Sequence, residues 1–401
     1  MDLTGPPLPR SARTPLPTGR HRVTSAPDLQ SAPPYAGGDP YADYRPAPAD
    51  VPFADLADLA DLADLADRRL GAGVLAANDE FFAERENLLR TEPARFDPHA
   101  FGHKGKIMDG WETRRRRGPS GDAPHPGADE YDWALVRLGA PGVVRGVVVD
   151  TAHFRGNHPR EVSVEAAALP GTPGTDELLA DSVRWTELVP RTPVRGHAAN
   201  VFPVSAERRW THLRLAQYPD GGVARLRVHG EAVPDPEWLR LLGTYDLVSV
   251  LNGGVVEDAS DRFFSPQRNM ILPDRSRKME DGWESRRRRD TGHDWARFRL
   301  AGHAAIRAVE LDTGYYLGNA AGWAALSASE DGGRTWTEFL PRTPLRPDSV
   351  HRFPLAAPVT ATHVRLDTFP DGGVARLRLH GGLTEDGRTE LARRFGRLTE
   401  A

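Results

Sequence analysis

The sequence predicts an all-β fold built as two tandem β-sandwiches or jelly rolls, and three observations carry that prediction. The chain contains an ordered internal duplication. Its apolar runs are short and alternate in the manner of strands. Gly (39) and Pro (35) are abundant among the 401 residues, which supplies turns between those runs.

The duplication is visible motif by motif. Asp79-Glu-Phe-Phe returns as Asp261-Arg-Phe-Phe, 182 residues on. The segment from Lys106 through Asp109-Gly-Trp-Glu-Thr to four arginines returns from Lys278, 172 residues on. Asp132-Trp-Ala and the Asp150-Thr…Gly156-Asn segment return at an offset of 162. Pro190-Arg-Thr-Pro and Pro219-Asp-Gly-Gly-Val-Ala-Arg-Leu-Arg return at 151. The offset shrinks in three steps of about ten residues, so the first copy carries three loop insertions that the second lacks.

Taken in order, residues 1–52 are Pro-rich without hydrophobic periodicity and are expected as a disordered tail. Their arginines (Arg10, Arg13, Arg20, Arg22) resemble those of a targeting peptide, but the prolines break any amphipathic helix, so the tail is read as untargeted. Residues 54–67 repeat Ala-Asp-Leu with period three, which drifts around a helix of period 3.6 and leaves no apolar stripe. A short helix is expected after that run, with no chemistry in it. Residues 53–232 form the first sandwich, 233–250 a helical linker, 251–383 the second sandwich and 384–401 a C-terminal tail. Inside the copies, residues 143–150 and 305–312 are apolar runs suited to buried strands. Residues 223–229 alternate after a Pro-Asp-Gly-Gly turn, and residues 327–339 read as a hairpin around Asp-Gly-Gly.

Composition narrows the function. The net charge of −4 gives no bulk pull onto nucleic acid or anionic membrane. The absence of cysteine excludes disulfides, thiolate nucleophiles and Cys-ligated metal. With no apolar stretch of membrane-spanning length and no apolar signal core, a soluble cytoplasmic protein is expected. Of the 52 basic residues only Lys104, Lys106 and Lys278 are lysine. Two of these three share one repeat position, three residues before Asp-Gly, where a point-charge ammonium would be needed.

The sharpest chemical feature is Asp109-Gly-Trp-Glu112-Thr followed by Arg114, Arg115, Arg116 and Arg117, with its twin over residues 281–289. The arginines are expected to be extended, which in a strand places two on each face. Guanidinium groups leaving bulk water together need carboxylate partners or an anionic ligand, and Glu112, Glu284, Asp132, Asp150, Asp294 and Asp312 are available. As a site, the run is a multi-donor cradle for a carboxylate or a urea-like oxygen. As a structural feature, it is a solvated edge charged against aggregation. Nucleic acid is disfavoured by the Glu before each run and by the lack of an aromatic platform after it. His153 and His158 flank Gly156-Asn157 at the end of an apolar strand and are natural acid–base candidates. The second copy has Tyr315 and Ala320 there, so any role of the histidines belongs to one copy, or else the shared Asp and Asn carry the site. No HExxH, P-loop, dinucleotide fingerprint or GxSxG elbow occurs. A divalent metal held by Asp, Glu and His stays open, since no ligand spacing identifies one.

The string Asn78-Asp-Glu-Phe-Phe-Ala-Glu-Arg-Glu-Asn-Leu-Leu89, the Asp109-to-Arg117 motif, Asp132-Trp, the run from Pro141 through Asp150-Thr-Ala-His153-Phe-Arg-Gly-Asn157 and both Pro-Asp-Gly-Gly strands resemble the allantoicase (allantoate amidinohydrolase) family. The resemblance covers residues 64–382 in order. It implies a tandem pair of galactose-binding-like jelly rolls that hydrolyse allantoate to ureidoglycolate and urea in purine degradation. The family often has His-Phe in its second copy, where this chain has Tyr315-Tyr316, so an equivalent second active site is not implied.

Allantoate carries one carboxylate and two ureido groups on a single carbon. Its cleavage requires an anion cradle, donors to the ureido oxygens, an acid for departing urea and a means of activating water. On that basis His153, Glu112 and Asp109 are the candidate acid and base. Lys106, Arg114, Arg115, Arg116, Arg117, Asn157 and Arg225 are the candidate substrate-binding residues, with Lys278, Asp281, Glu284, Asn319 and Arg376 as second-copy equivalents.

A reading from a different class is a non-catalytic module that binds a sugar or another small molecule through its loops, and Asp331-Gly-Gly-Arg-Thr-Trp336 suits such a module. The doubled Lys…Asp-Gly-Trp-Glu…Arg motif favours the enzyme. A third reading, a regulatory purine-pathway protein without activity, is suggested by the altered second copy. A duplicated domain imitates dimer symmetry within one chain, and a homo-oligomer beyond it depends on surfaces the sequence does not show.

Overall fold

The structure, a computed structural model, describes residues 31–47 and 61–400. Each copy is organised around one 19-residue strand, Asp132–Asp150 in the first and Asp294–Asp312 in the second. These strands are long enough to serve both layers of a sandwich. The N-terminal half of Asp132–Asp150 pairs with Gly73–Ala77 and Arg209–Tyr218, and its C-terminal half pairs with Ala198–Pro203 and Arg225–Ala232. The twin pairs with Val255–Ala259, Arg376–Leu383 and a single strand, Val350–Phe369, where the first copy uses two. Alternating Val and Leu on the inward faces, together with Trp111, Trp210 and Trp283, fill the two sandwiches to near-complete exclusion of water. The two copies are therefore all-β jelly rolls.

The end of the Ala-Asp-Leu run departs from the expectation. Residues 54–60 lie outside the described residues, but Ala63–Asp64 is a strand against Arg225–Ala232, followed by a 3-10 turn, Arg68–Leu70. Leu65 is fully buried, and the Asp64 carboxylate accepts from the backbone N–H of Val228. Tyr245–Asp246 repeats this arrangement in the second copy, with Asp246 accepting from Leu379. Burial of one leucine and one satisfied backbone donor decides the local structure where period-three patterning could not.

Between the copies, Pro236–Leu242 is helical, capped by Asp235 with Pro at its first position. The strand that follows at Tyr245 already belongs to the second sandwich, so the linker is helical only in part. Residues 384–401, expected as a tail, contain the helix Glu385–Thr399, capped by the Thr384 hydroxyl. It packs Leu398 against Val143 and Val233, and Arg394 meets Glu231, so it fastens one copy to the other. No helix among the described residues is long and apolar enough to cross a membrane.

Of the Pro-rich start, residues 1–30 and 48–52 lie outside the described residues. Residues 31–47 lie against the first copy, and Arg45–Ala47 adds a parallel strand to Ala198–Pro203.

Candidate functional site

The Asp-Gly-Trp-Glu motif places its side chains by alternation. Trp111–Glu112 is a two-residue strand paired with Gly222–Val223. Trp111 points into the core, where its Nε1 donates to the carbonyl of Asp79, and Glu112 emerges on the opposite side. The arginines that follow are not in a strand, contrary to expectation, yet they still alternate. Arg114 Nε donates to Asp79 Oδ2 at 2.6 Å, and Arg116 binds Asp132 Oδ1 at 2.7 Å while its backbone N–H donates to Asp220. Arg115 and Arg117 are tied by no hydrogen bond or ion pair among the described residues, and both line a cleft of about 800 Å³. Two arginines therefore fix the loop, and two are left for a ligand.

The opposite wall is set by the Pro-Asp-Gly-Gly turn. Gly222 sits where a Cβ would fall 2.0 Å from the Phe154 ring, so only glycine fits. Its N–H donates to the Asn157 carbonyl at 2.8 Å, and Asn157 Nδ2 in turn donates to Glu112 Oε1 at 2.8 Å. Glu112 Oε2 has no hydrogen-bond partner among the described residues. Burial pushes the Glu112 carboxyl above the usual carboxylate range, opposed by the Asn157 hydrogen bond and the charge of Arg115. Lys104, Lys106, His125, His158, Arg160 and Arg191 also line the cleft, and with Arg115 to Arg117 they outnumber its acids, Glu112, Glu161 and Asp220.

The second copy repeats the core of this arrangement. Glu284 Oε1 accepts from Asn319 Nδ2 at 2.8 Å; Arg286 is tied to Asp261 and Arg288 to Asp294; Arg287, Arg289 and Lys278 line a cleft of about 1200 Å³. That cleft is wider because the insertions that wall the first, residues 96–105 and the loop carrying His125, have no counterpart.

Several expected site residues lie elsewhere. His153 is buried beneath the first cleft, with its backbone in the left-handed region (φ 68°) and its ring Nε2 3.1 Å from the Ala94 carbonyl. Its N–H donates to His197 Nδ1 at 2.9 Å, which requires a neutral His197, and burial with the nearby Arg155 charge holds that ring down to about 4. Asp109 and Arg225 form a buried knot: Arg225, 1 % exposed, donates to Asp109 Oδ2 at 2.8 Å and to the carbonyls of Glu92 and Asp109. Asp281 and Arg376 are the twin, joined through the Asp281 carbonyl. None of these five lines either of the two clefts described above. Arg114 and Arg116 are neutralised by carboxylates for the reason given above.

Residues not singled out include Lys104, His125, Arg160 and Arg191. Lys104 was detectable, since all three lysines of the chain line one cleft or the other. Among the described residues no three His, Asp or Glu side chains gather as a metal site.

The buried setting of His153 has a measurable signature. His153→Asn keeps a residue tolerant of the left-handed backbone but removes the buried ring, and should cost about 1–3 kcal/mol of stability. Thermal denaturation checks this, with kcat per folded molecule remaining close to that of the unaltered protein.

Fold and cleft together define a class: a duplicated jelly-roll protein whose first copy carries a cation-lined cleft around Glu112. The allantoicase repeat model matches residues 63–233 and 245–384. A probable allantoicase of Streptomyces avermitilis is 63% identical over 381 residues, covering 95% of this chain and 99% of its own length. One from Nocardia farcinica is 52% identical over 79% of this chain and 93% of its own. The crystal structure of allantoicase from Saccharomyces cerevisiae matches with a TM-score of 0.69 at 32% identity, over 82% of this chain and 98% of that one. The chain belongs to the allantoicase family.

Proposed function

We infer that the chain is a hydrolase that converts allantoate and water to ureidoglycolate and urea in purine degradation, and that the first cleft performs the reaction. The observation that carries the site assignment is Glu112, a half-buried carboxyl held by Asn157 on one oxygen and open on the other, facing Arg115, Arg117 and Lys106. The cations take the substrate carboxylate and polarise ureido oxygens. Glu112 accepts a proton from water as its oxygen bonds to the central carbon. The bond from that carbon to one ureido nitrogen breaks, and Glu112 passes the proton to that nitrogen, so urea leaves and the carboxylate is restored. Asn157 orients Glu112, and the sequence-based roles of His153 and Asp109 pass to it.

The test is urea release by purified protein, with and without chelator, alongside Glu112→Gln. Activity abolished by chelator alone would add a metal to this account. Because burial raises the Glu112 carboxyl and the reaction starts from its ionised form, kcat/KM should rise with pH along a limb above the usual carboxylate range. A pH–rate profile checks this; a limb at an ordinary carboxylate position would assign the base elsewhere.

The Glu284–Asn319 pair, at the same 2.8 Å, favours a second reading with two turnover centres per chain. In that case Glu112→Gln retains the second cleft's share of turnover, and only the double variant with Glu284→Gln is inactive.

A further inference from the structure

We propose that residues 31–47 form a strap whose tyrosines position Lys106 in the first cleft, so that a segment outside the duplicated repeats sets affinity for the substrate's carboxylate. The proposal rests on the assignment of that cleft to allantoate.

The strap is anchored at both ends. Arg45–Ala47 pairs in parallel with Ala198–Pro203. Asp43 takes two guanidinium hydrogen bonds from Arg155, at 2.5 and 2.6 Å, and Arg155 also donates to the Pro33 carbonyl at 2.9 Å. Tyr44 donates to Asp150 Oδ1 at 3.0 Å, ending the strand that leads to Asn157.

Between the anchors, Tyr35 presses on the first loop insertion and Tyr41 on the residues that support it. Tyr41 donates to the Ala94 carbonyl at 2.6 Å and stands edge-on to His153, with ring centroids 4.6 Å apart. Tyr35 stands edge-on to Phe96 at 5.2 Å, and Phe96 stacks on His153 at 5.2 Å. Lys106 Nζ lies 4.8 Å from the Phe96 ring and 4.7 Å from the Phe101 ring, and donates to the Asp97 carbonyl. The order of contact is strap, Phe96, lysine, cleft.

The physical reason is preorganisation. A free lysine side chain loses rotamer entropy when it grips an anion, whereas one already held between two rings and a carbonyl has lost it beforehand. The rings also hold the ammonium by cation–π attraction without neutralising it. The second copy supplies the contrast. Arg277 runs directly into Lys278 with no insertion, no strap among the described residues covers Asp312, and Tyr315 is 49% exposed in its cleft instead of buried like His153.

The experiment compares the full chain with Tyr35→Ala/Tyr41→Phe, with Lys106→Met and with the triple variant, by allantoate kinetics and by hydrogen exchange over residues 94–106. The strap variant should raise KM roughly three- to tenfold, the range of a lost cation–π hold, with kcat unchanged. The triple variant should match Lys106→Met alone, and Tyr35→Phe should restore KM. Exchange over residues 94–106 should quicken in the strap variant. A folded strap variant with unaltered KM, or losses that multiply in the triple variant, would overturn the proposal. If the unaltered protein releases no urea, the assignment of function fails instead, and exchange decides the strap: unchanged protection over residues 94–106 would refute it.

Discussion

Glu112→Gln should lower kcat for urea release by about 10²–10⁴-fold, the usual contribution of a positioned acid–base group. Gln keeps the shape and can still meet Asn157, so the fold should survive and KM should change little. The effect is confined to chemistry because Glu112 makes no ion pair among the described residues, where its one side-chain hydrogen bond is to Asn157 Nδ2. Steady-state kinetics with a thermal melt of the same sample separates loss of the proton carrier from loss of structure. Retained turnover in the folded variant would move catalysis to another group of the cleft, and His158 and His125 would then be the next to replace.

Asp109→Asn should produce the largest loss of stability, about 3–5 kcal/mol, because it leaves the buried Arg225 without its anion. Burial raises the Asp109 carboxyl, but hydrogen bonds from Arg225 and the Arg95 N–H, with the charges of Arg225 and Arg90, outweigh it and hold the group below its ordinary value. A depressed folded-state pKa contributes stability above the unfolded-state value, and that contribution is lost as pH falls through the folded-state value. Acid should therefore destabilise the unaltered protein more steeply than Asp109→Asn. Chemical denaturation at neutral and acid pH checks both statements; equal acid slopes would show that the knot contributes little.

How far the sequence revealed this molecule depended on the range of the deciding interactions. The duplication and its three insertions were legible because motifs such as Asp-Gly-Trp-Glu and Pro-Asp-Gly-Gly hold local geometry that both copies need. Glu112 and Asn157 were each legible as candidates because both recur in the second copy, at offsets of 172 and 162, but the hydrogen bond that joins them was not. Division of the arginines was half legible: alternation predicted two and two, but the carboxylates that claim Arg114 and Arg116 come from Asp79 and Asp132. The burial of His153 was not legible because it depends on Tyr41 and Phe96, about 112 and 57 positions away, and no local pattern announces such packing. Arg225 was read as a ligand cation by residue type, whereas Asp109, 116 positions upstream, already neutralises it.

The central claim is that the first cleft hydrolyses allantoate through Glu112. Urea release from allantoate, measured side by side for the purified protein and for folded Glu112→Gln, tests it most directly. The account predicts steady urea production by the first and near-complete loss in the second. Equal urea production by the two would contradict it.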